Sequence, residues 1–415
     1  MIGPATVAVD LTPVRPGGEN GGAKPATIGL IEALAAAVPE TRFVLLTSSP
    51  NHDELEQLEA DNVRRFRIDA PSLERPPAEN MAWRVHAALS TILPRRAIDA
   101  LGAAYRDIQA WRGMPGLLRR LGAEILFCPF FDAYFDDGVT PLVSIIADLQ
   151  FRELPECFDT NAREHFEKKF AHIARRAARM VCISEAVRDS VLRTGVARER
   201  LVVIPWAFQD RLAFTVDPSV LARWELTPGG YLIYPANFWP HKNHRTLIRA
   251  LMRVDSKVRL VLTGAGGPER RRIEDEVHSA GLGDRVIFAG FVSDRELAVL
   301  LGSARALVFP SLYEGFGMPV VEAMALGVPV LCSNAGSLPE VSGGAALLFD
   351  GRDPDAIAAA LTEMENDAGL RQRMIEAGRE RARQLGSREI MARRYWDTLC
   401  QAFATLGDDH GKRPT

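Results

Sequence analysis

The sequence has no hydrophobic run long enough to cross a membrane and almost no excess of one charge. Its apolar stretches fall short of the roughly 18 residues that a membrane-spanning helix needs, and the first residues do not resemble a signal peptide. We therefore expect a cytoplasmic protein, neither exported nor integral to a membrane. The net charge of −3, from 50 basic and 53 acidic residues in 415, gives no global positive field, so we predict no nucleic-acid partner.

Cysteine is also scarce, and nothing else in the chain has the spacing of a metal site. The five cysteines are odd in number, widely separated and mostly inside apolar runs, which favours buried free thiols: Cys128, Cys157, Cys182, Cys332 and Cys400. No cluster of histidine, cysteine and acidic residues has metal-ligand spacing, so the sequence predicts no metal and no other cofactor.

Short β-rich runs alternate with longer helical patterns along the chain. This alternation predicts an α/β protein with parallel sheets wrapped by helices, and the length favours two domains. In the first half the predicted strands are Thr6–Asp10, Phe43–Thr47, Ile125–Cys128, Leu142–Ala147, Met180–Ser184 and Leu201–Pro205. In the second half they are Tyr231–Pro235, Val258–Thr263, Val286–Ala289, Ala306–Pro310, Val328–Cys332 and Ala346–Phe349.

Strand signals lapse between Gln209 and Gly230, where prolines and glycines cluster, so we place a domain boundary there. The domains predicted are residues 1–210 and 211–386, with a ligand in the cleft between them. A helical insertion is predicted between Pro76 and Gly122. A final helix, residues 387–406, repeats apolar side chains every four residues at Met391, Tyr395, Leu399 and Phe403, and this stripe must dock on another surface.

The segment from Glu314 to Glu322 predicts a ligand site. Phe309 and Pro310 end a strand, and Pro319 suits the first turn of a helix that would stop at Gly327. The glycines of the intervening loop, Gly315 and Gly317, let backbone approach a ligand closely. Amides up to Met318, including that of Phe316, would point out of a helix N-terminus, where a phosphate or sugar hydroxyl is favoured.

Two carboxylates flank this loop. Glu314 precedes the helix and Glu322 lies in its first turn, so each can bind a different part of one elongated ligand, because carboxylates accept paired hydrogen bonds from vicinal hydroxyls. Taken alone, Glu314 would be an ordinary loop residue and Glu322 an ordinary first-turn acid. The glycines and Pro319 between them favour the functional interpretation.

This passage resembles the E-x7-E signature of the retaining glycosyltransferases of family 4, the glycogen-synthase-like and mannosyltransferase-like superfamily. The longer run from Phe309 to Glu340 is similar as well, and the resemblance extends over most of the second half of the chain and more loosely over the first. It implies a GT-B fold, two facing Rossmann-like domains whose last helix crosses back to the first. It also implies that Glu314 contacts the donor sugar, that the amides of residues 315–318 hold sugar and phosphate, and that Glu322 binds the ribose.

A second loop, residues 237–244, follows the strand at Tyr231. Lys242 is suited to stabilise the negative charge that develops on a diphosphate leaving group, although a lysine at a helix start is often simply solvated. The family commonly has an arginine where this chain has Asn237. Either one cationic contact is missing or another base such as Arg245 replaces it. His241, His244 and Trp239 are expected to serve in loop hydrogen bonding or packing.

In the first half, residues 15–24 form a glycine-rich loop after the first strand. It does not match G-x-G-x-x-G, which argues against a dinucleotide site, but it resembles the family's Gly-Gly loop at Gly21 and Gly22. At a second strand end the family often has a His-Asp pair. Here Ala147 replaces the histidine and Asp148 remains, either as a catalytic group facing the cleft or as a turn cap.

The insertion and a second cluster carry arginines among apolar residues, which is typical of either a solvated helix face or peripheral contact with an anionic membrane. The arginines are Arg95, Arg96, Arg106, Arg112, Arg119 and Arg120, followed by Arg175, Arg176 and Arg179. The expected partners are a nucleotide-sugar donor and a glycan or lipid-linked acceptor.

We thus predict a metal-independent retaining hexosyltransferase of surface polysaccharide or glycan biosynthesis, with GDP-mannose as the expected donor. The predicted catalytic residues are Glu314, Lys242 and Asp148. Paired carboxylates also occur in glycoside hydrolases, but the glycine-rich helix entrance and Lys242 favour a phosphate leaving group. The same residues would also suit a nucleotide-sugar epimerase or a catalytically silent scaffold that binds a sugar nucleotide.

Overall fold

The structure is a computed structural model that describes residues 3–16, 20–69, 116–207, 212, 217–254 and 258–410. The predicted insertion lies largely outside the described residues, and so do Arg95, Arg96, Arg106 and Arg112. At its end a short helix, Leu117–Leu121, is described. For residues 406–410 only the helical backbone is described.

The first sheet has seven parallel strands in the described part of the chain, in the order β3-β2-β1-β4-β5-β6-β7. They are β1 (Thr6–Asp10), β2 (Arg42–Thr47), β3 (Val63–Arg67), β4 (Ile125–Cys128), β5 (Leu142–Ile146), β6 (Ala177–Cys182) and β7 (Leu201–Val203). All six predicted strands are confirmed. Strand β3 was missed because three of its five residues are arginines, which suit only an edge strand with an open side.

The second sheet, among the described residues, has six parallel strands in the order β10-β9-β8-β11-β12-β13. They are β8 (Tyr231–Pro235), β9 (Arg259–Thr263), β10 (Val286–Gly290), β11 (Ala306–Phe309), β12 (Val330–Ser333) and β13 (Leu347–Phe349), as predicted to within two residues. The strand order reverses between β8 and β11, and between β1 and β4 in the first sheet. Ligands of open α/β sheets bind beyond the carboxyl ends of the strands at such reversals.

Helices wrap the two sheets, as the alternating pattern predicted. Those of the first sheet's segment are Ala23–Ala37, Leu117–Leu121, Gln150–Glu153, Thr160–Arg176 and Glu185–Leu192. Those that follow are Pro218–Ala222, His244–Leu251, Arg270–Ser279, Asp294–Gly302, Met318–Ala325, Leu338–Ser342, Pro354–Asn366, Ala368–Gln384 and Arg388–His410. Single 3-10 turns lie at Glu56–Leu58, Pro155–Cys157, Arg198–Arg200 and Pro240–Lys242.

The last helix returns to the first sheet. Arg388–His410 packs along Ala23–Ala37 and contacts β4, β5 and β6. The predicted stripe supplies this contact, with Met391, Tyr395 and Leu399 buried. Arg388 at the helix start also donates to the carboxylate of Glu32. The crossing-back helix is therefore confirmed.

The two sheets are separate units joined by the segment between Val203 and Tyr231. The predicted boundary at residues 210 and 211 falls outside the described residues and stays a prediction. The five cysteines are free thiols, and all but Cys157 are buried.

Asp10, the last residue of β1, has a buried carboxylate. The Oδ1 atom of Asp10 accepts hydrogen bonds from the backbone and the hydroxyl of Thr12, at 3.0 and 2.6 Å. Burial nevertheless raises the pKa of Asp10 to about 7; the Thr12 hydrogen bonds and Lys169 oppose this rise, and Asp132 adds to it. Because the folded protein holds this proton more tightly than the unfolded chain does, its free energy of unfolding falls as the pH rises from about 4 to about 7.

We expect Asp10→Asn to remove this loss while keeping the acceptor for Thr12. Its stabilisation relative to wild type should grow by about 3 kcal/mol between pH 5 and pH 8, because about two pH units of this range lie below the folded pKa and each corresponds to about 1.4 kcal/mol. Thermal unfolding across this range measures the difference. Asp61→Asn, at an exposed aspartate in the turn that precedes β3, is the control. An Asp10→Asn gain that is equal at both pH values would contradict the prediction.

Candidate active site

A cleft of about 700 Å³ lies where the carboxyl ends of the two sheets face each other. Its walls are mainly the loops that follow β1 and β5 of the first sheet and β8, β10 and β11 of the second, and residues after β2, β6, β7 and β9 also line it. The structure brings every predicted site residue to this cleft: Gly21, Gly22, Asp148, Asn237, Lys242, Glu314, Gly315, Phe316, Gly317, Met318 and Glu322.

The loop after β11 has the geometry that its glycines predicted. Gly317 has a φ of 91°, a left-handed conformation that L side chains rarely adopt, and it directly precedes the helix Met318–Ala325. Pro319 lies in the first turn, and Gly327 follows the helix with a φ of 74°. Gly315 is needed for a different reason, since a Cβ there would lie 1.8 Å from the carbonyl oxygen of Ala147 in the opposite domain.

Two serines hold consecutive carbonyl groups of this loop. The carbonyl of Glu314 accepts hydrogen bonds from the backbone and the hydroxyl of Ser337, at 3.1 and 3.0 Å. The carbonyl of Gly315 accepts one from Ser184 of the first domain, at 2.8 Å. Within the described part of the chain, no protein group accepts a hydrogen bond from the amides of residues 315–318. This loop therefore offers donors to a ligand in the cleft.

Lys242 forms an ion pair with Glu314, with Nζ 2.6 Å from Oε1 and both side chains largely buried. The lysine backbone is fixed as well, because the Tyr234 hydroxyl donates to its carbonyl. The next residue, Asn243, adopts a left-handed φ of 59°. Its side-chain amide donates hydrogen bonds to the carbonyls of Pro310 and Gly351. The cation and the first carboxylate of the motif thus form one unit, and the solvated interpretation of Lys242 was wrong.

Glu322 lies at the base of the same wall. The helix begins at Met318, so Glu322 lies just beyond its first turn, and the prediction of a first-turn acid was wrong. Only 1% of the residue is exposed. A buried carboxylate beside a helix N-terminus suits hydroxyl donors from a ligand. Its distinct position from Glu314 agrees with separate roles for the two acids.

Asp148 combines the two roles that the sequence left open. Its Oδ1 atom accepts the amide hydrogen of Gln150 at 3.0 Å, so it caps a turn, and it also lines the cleft opposite Glu314. Burial and the nearby Glu314 raise the pKa of its carboxyl group, whereas the Gln150 hydrogen bond and Lys242 act in the other direction.

Asn237 connects two loops of the second domain. Its Oδ1 atom accepts the amide hydrogen of Ala265 at 2.8 Å, which ties the end of β8 to the loop after β9. Arg245 does not replace the missing arginine, because its guanidinium is bound to Glu276 and it does not line the cleft. The suggestion that Arg245 takes over the cationic contact was wrong.

The aromatic residues of the Lys242 loop have different environments. His244 is buried between the rings of Tyr234 and Phe238, each 4.7 Å away, and burial lowers its pKa to about 3. His241 lines the cleft, and burial together with Lys242 lowers its pKa to about 2, so its imidazole is neutral. Trp239 is 44% exposed on the cleft wall, so it is not the packed residue that was one of the roles left open by the sequence.

Both halves of the chain match one known family. Residues 226–381 match the family described as glycosyl transferases group 1, and residues 21–207 match the glycosyl transferase 4-like domain. The chain is 30% identical over 342 residues to O-antigen chain mannosyltransferase B of Escherichia coli, and the matched region covers 80% of this chain and 87% of that protein. The chain belongs to the family 4-like glycosyltransferases.

Further comparisons agree with this family. The chain is 32% identical over 218 residues to the GDP-mannose-dependent alpha-(1-6)-phosphatidylinositol monomannoside mannosyltransferase of Mycobacterium tuberculosis, 48% of this chain and 54% of that protein. Sucrose-phosphate synthase from Thermosynechococcus elongatus superposes with a TM-score of 0.72 at 24% identity, covering 96% and 99% of the two chains. The predicted GT-B fold is confirmed, and the protein is a hexosyltransferase of glycan biosynthesis.

Sequence reasoning missed two parts of the glycosyltransferase cleft. Lys24 and Glu54 form an ion pair on the wall of the first domain. Phe291, Val292 and Asp294 line the far end, directly after β10. Each of these residues follows the carboxyl end of a parallel strand, where ligands of such sheets bind, and this position could have predicted them.

Some arginines of the predicted basic surface bind other residues of the protein. Arg176 binds both oxygens of Asp136 through Nε and Nη2, at 2.9 Å each, and Arg179 donates to Gln401. Arg175 is exposed, so peripheral membrane contact stays a prediction. Across the described ranges, no helix is long and apolar enough to span a membrane, and no group of three potential metal-ligating residues occurs.

Proposed function

We propose that this protein transfers mannose from GDP-mannose to a hydroxyl group of a glycan or lipid-linked acceptor in surface polysaccharide assembly, with retention of anomeric configuration. The observation that carries the proposal is the Lys242–Glu314 pair beside the amides of residues 315–318, which have no protein acceptor in the described part of the chain. A sugar bonded to a diphosphate needs a partner for its hydroxyls and a cation for its leaving group. Glu314 and Lys242 are suited to these two tasks, and one hydrogen bond joins them.

In the proposed reaction the bond between the sugar C1 and the phosphate oxygen breaks, and its electron pair stays on the phosphate. Lys242 and the loop amides stabilise this charge. The acceptor oxygen bonds to C1 from the same face, and its proton passes to the departing phosphate. The alpha linkage in the name of the mycobacterial relative supports retention, because GDP-mannose itself is an α-glycoside.

The far end of the cleft suits a guanine base. Three strand spacings of about 4.8 Å separate β11 from β10, which gives an elongated ligand room to extend from Glu314 to Asp294. A carboxylate accepts two donors, and guanine presents two adjacent ones on its Watson–Crick edge where uracil presents one. Phe291 and Val292 supply apolar contact at the same end.

We expect GDP and GDP-mannose to raise the unfolding temperature more than UDP, UDP-glucose or ADP-glucose do. A ligand at 100 times its dissociation constant stabilises the folded state by about 2.7 kcal/mol. Thermal shift with this panel measures the effect. Glu322→Gln should lose most of the stabilisation by GDP, because it removes the buried carboxylate proposed for the ribose.

Asp294→Asn provides the matched test of the base, and we expect it to reduce the preference for GDP over UDP. A larger shift with uridine nucleotides in the wild type would overturn the guanine assignment. No shift with any nucleotide would overturn the sugar-nucleotide donor. Anomeric analysis of the product by NMR tests retention, and a β-mannoside would exclude it.

A further inference from the structure

The glycine-rich donor loop is the place where the two domains meet. Residues 314–318 belong to the second domain, yet they contact the carboxyl ends of several first-domain strands. The carbonyl of Ala147 abuts Gly315, the ring of Trp206 packs edge-on against Phe316 at 6.1 Å, and Gly22 lies close to Met318. The conformation of this loop therefore depends on how closely the domains approach.

Ser184 makes the polar contact in this junction. It is fully buried at the end of the strand β6, where its hydroxyl donates to the Gly315 carbonyl at 2.8 Å. The same oxygen accepts the amide hydrogen of Val187 at 3.1 Å, so Ser184 is also the N-cap of the helix Glu185–Leu192. With both hydrogen bonds made, the hydroxyl has a single orientation.

Glu340 closes the same helix end from the second domain. Its two carboxylate oxygens accept the amide hydrogens of Glu185 and Ala186, at 2.9 and 3.1 Å. A carboxylate is favoured at a helix N-terminus, where amide groups lack intrahelical partners. Arg381 donates to the backbone carbonyls of Glu340 and Val341, which fixes the short helix that carries the glutamate.

The peptide plane between Gly315 and Phe316 links this junction to the site. The structure has no cis peptide bonds in the described residues, and in a trans peptide the carbonyl and the following N–H point in opposite directions. When Ser184 holds the Gly315 carbonyl toward the first domain, the Phe316 N–H must point away from it. That amide has no protein acceptor among the described residues.

We propose that Ser184 and Glu340 form an interdomain latch that aligns the Phe316 amide for the donor sugar or its phosphate only when the domains are closed. Glu340 holds the Ser184-bearing helix against the second domain, and Ser184 sets the orientation of the peptide plane. Both are positioning residues, since neither lines the cleft. Because domain closure assembles the donor site, the donor binds tightly only in the closed arrangement. The same arrangement brings the first domain next to the reacting sugar.

The test compares Ser184→Ala and Glu340→Gln with wild type and with Glu363→Gln, which alters an exposed glutamate of the same domain. We expect both latch variants to lower kcat for transfer by roughly 10- to 100-fold, as misplacement of a reacting group or loss of one amide donor does. Calorimetric affinity for GDP-mannose should fall, whereas affinity for GMP, which lacks the β-phosphate and sugar, should stay within twofold. Glu363→Gln should match wild type.

Small-angle scattering supplies a readout that does not depend on the donor. Glu340→Gln should have a larger radius of gyration than wild type and Glu363→Gln. Equal transfer rates and equal radii in wild type and Glu340→Gln would overturn the latch, as would equal loss of GMP and GDP-mannose binding in either variant. If Ser184→Ala does not fold, Glu340→Gln decides alone, because its side chain is partly exposed.

The latch rests on the proposed function only for the choice of probe. If wild-type protein binds no guanine nucleotide, the GDP-mannose assignment fails, and the same comparison is made with the sugar nucleotide that gives the largest thermal shift and its nucleoside monophosphate. The scattering result is unaffected by that choice.

Discussion

Lys242→Met should lower kcat by roughly 10²- to 10³-fold, the usual cost of removing one preorganised group that stabilises charge in a transition state. The lysine Nζ lies 2.6 Å from Glu314 in a largely buried pair, so its positive charge is held at a fixed place in the cleft. Its removal also leaves the Glu314 carboxylate without its ion-pair partner. Steady-state kinetics with donor and acceptor measure the effect.

The Lys242–Glu314 ion pair leads to a second prediction. Glu314→Gln should also lower kcat strongly, and the double variant Lys242→Met/Glu314→Gln should be little worse than either single one, because groups that act as a unit are not additive. Arg245→Met is the control, since it removes a cation from the same segment that is bound to Glu276 outside the cleft. Additive losses, or turnover near wild type in Lys242→Met with normal folding, would remove the pair from the mechanism.

Gly315→Ala should abolish measurable transfer while each domain stays folded. The added methyl group would lie 1.8 Å from the Ala147 carbonyl oxygen and 3.1 Å from the Asp148 Cβ, and these are backbone and near-backbone atoms that cannot rotate aside. The domains must therefore separate, which moves Asp148 and the Gly-Gly loop away from the donor loop. A displacement of 1 Å in a reacting geometry can cost about 10²-fold in rate.

The matched control is Gly283→Ala, at a position where a Cβ would meet no atom within 4 Å and the backbone φ is ordinary. It should retain wild-type kinetics. GMP binding by calorimetry should survive in Gly315→Ala, because the clash lies between the domains and leaves Glu322 in place. Transfer within tenfold of wild type would show that closure to this contact is not required.

Local sequence predicted most of the framework because its signals are local. Twelve predicted strands are present, and the Glu314–Glu322 segment forms the loop and helix that its glycines and Pro319 indicated. The arginine-rich β3 was missed because its strand conformation depends on its place at a sheet edge beside β2, which the local pattern does not encode. The end of the cleft after β10 was missed for a similar reason, since Phe291 and Asp294 have no motif of their own.

Contacts between distant residues decided the roles that the sequence left open. Lys242 and Glu314 are 72 positions apart, and only folding shows that they pair. Arg245 directly follows the loop in sequence but is bound to Glu276, so proximity in sequence was misleading. Asp148 is both a turn cap and a cleft residue, because its Oδ1 atom accepts the Gln150 amide hydrogen at a strand end that faces the cleft.

The sequence by itself determined the family, the two α/β units and the residue types of the donor loop, because hydrophobic periodicity, glycine and proline act through short-range geometry. Only the tertiary structure decided how that loop is held. Its carbonyls bind Ser337 and Ser184, and Glu340 caps a helix of the other domain, across separations of 23, 131 and 155 positions. Such contacts form when two independently patterned sheets bring their carboxyl ends together, and no local pattern specifies that encounter.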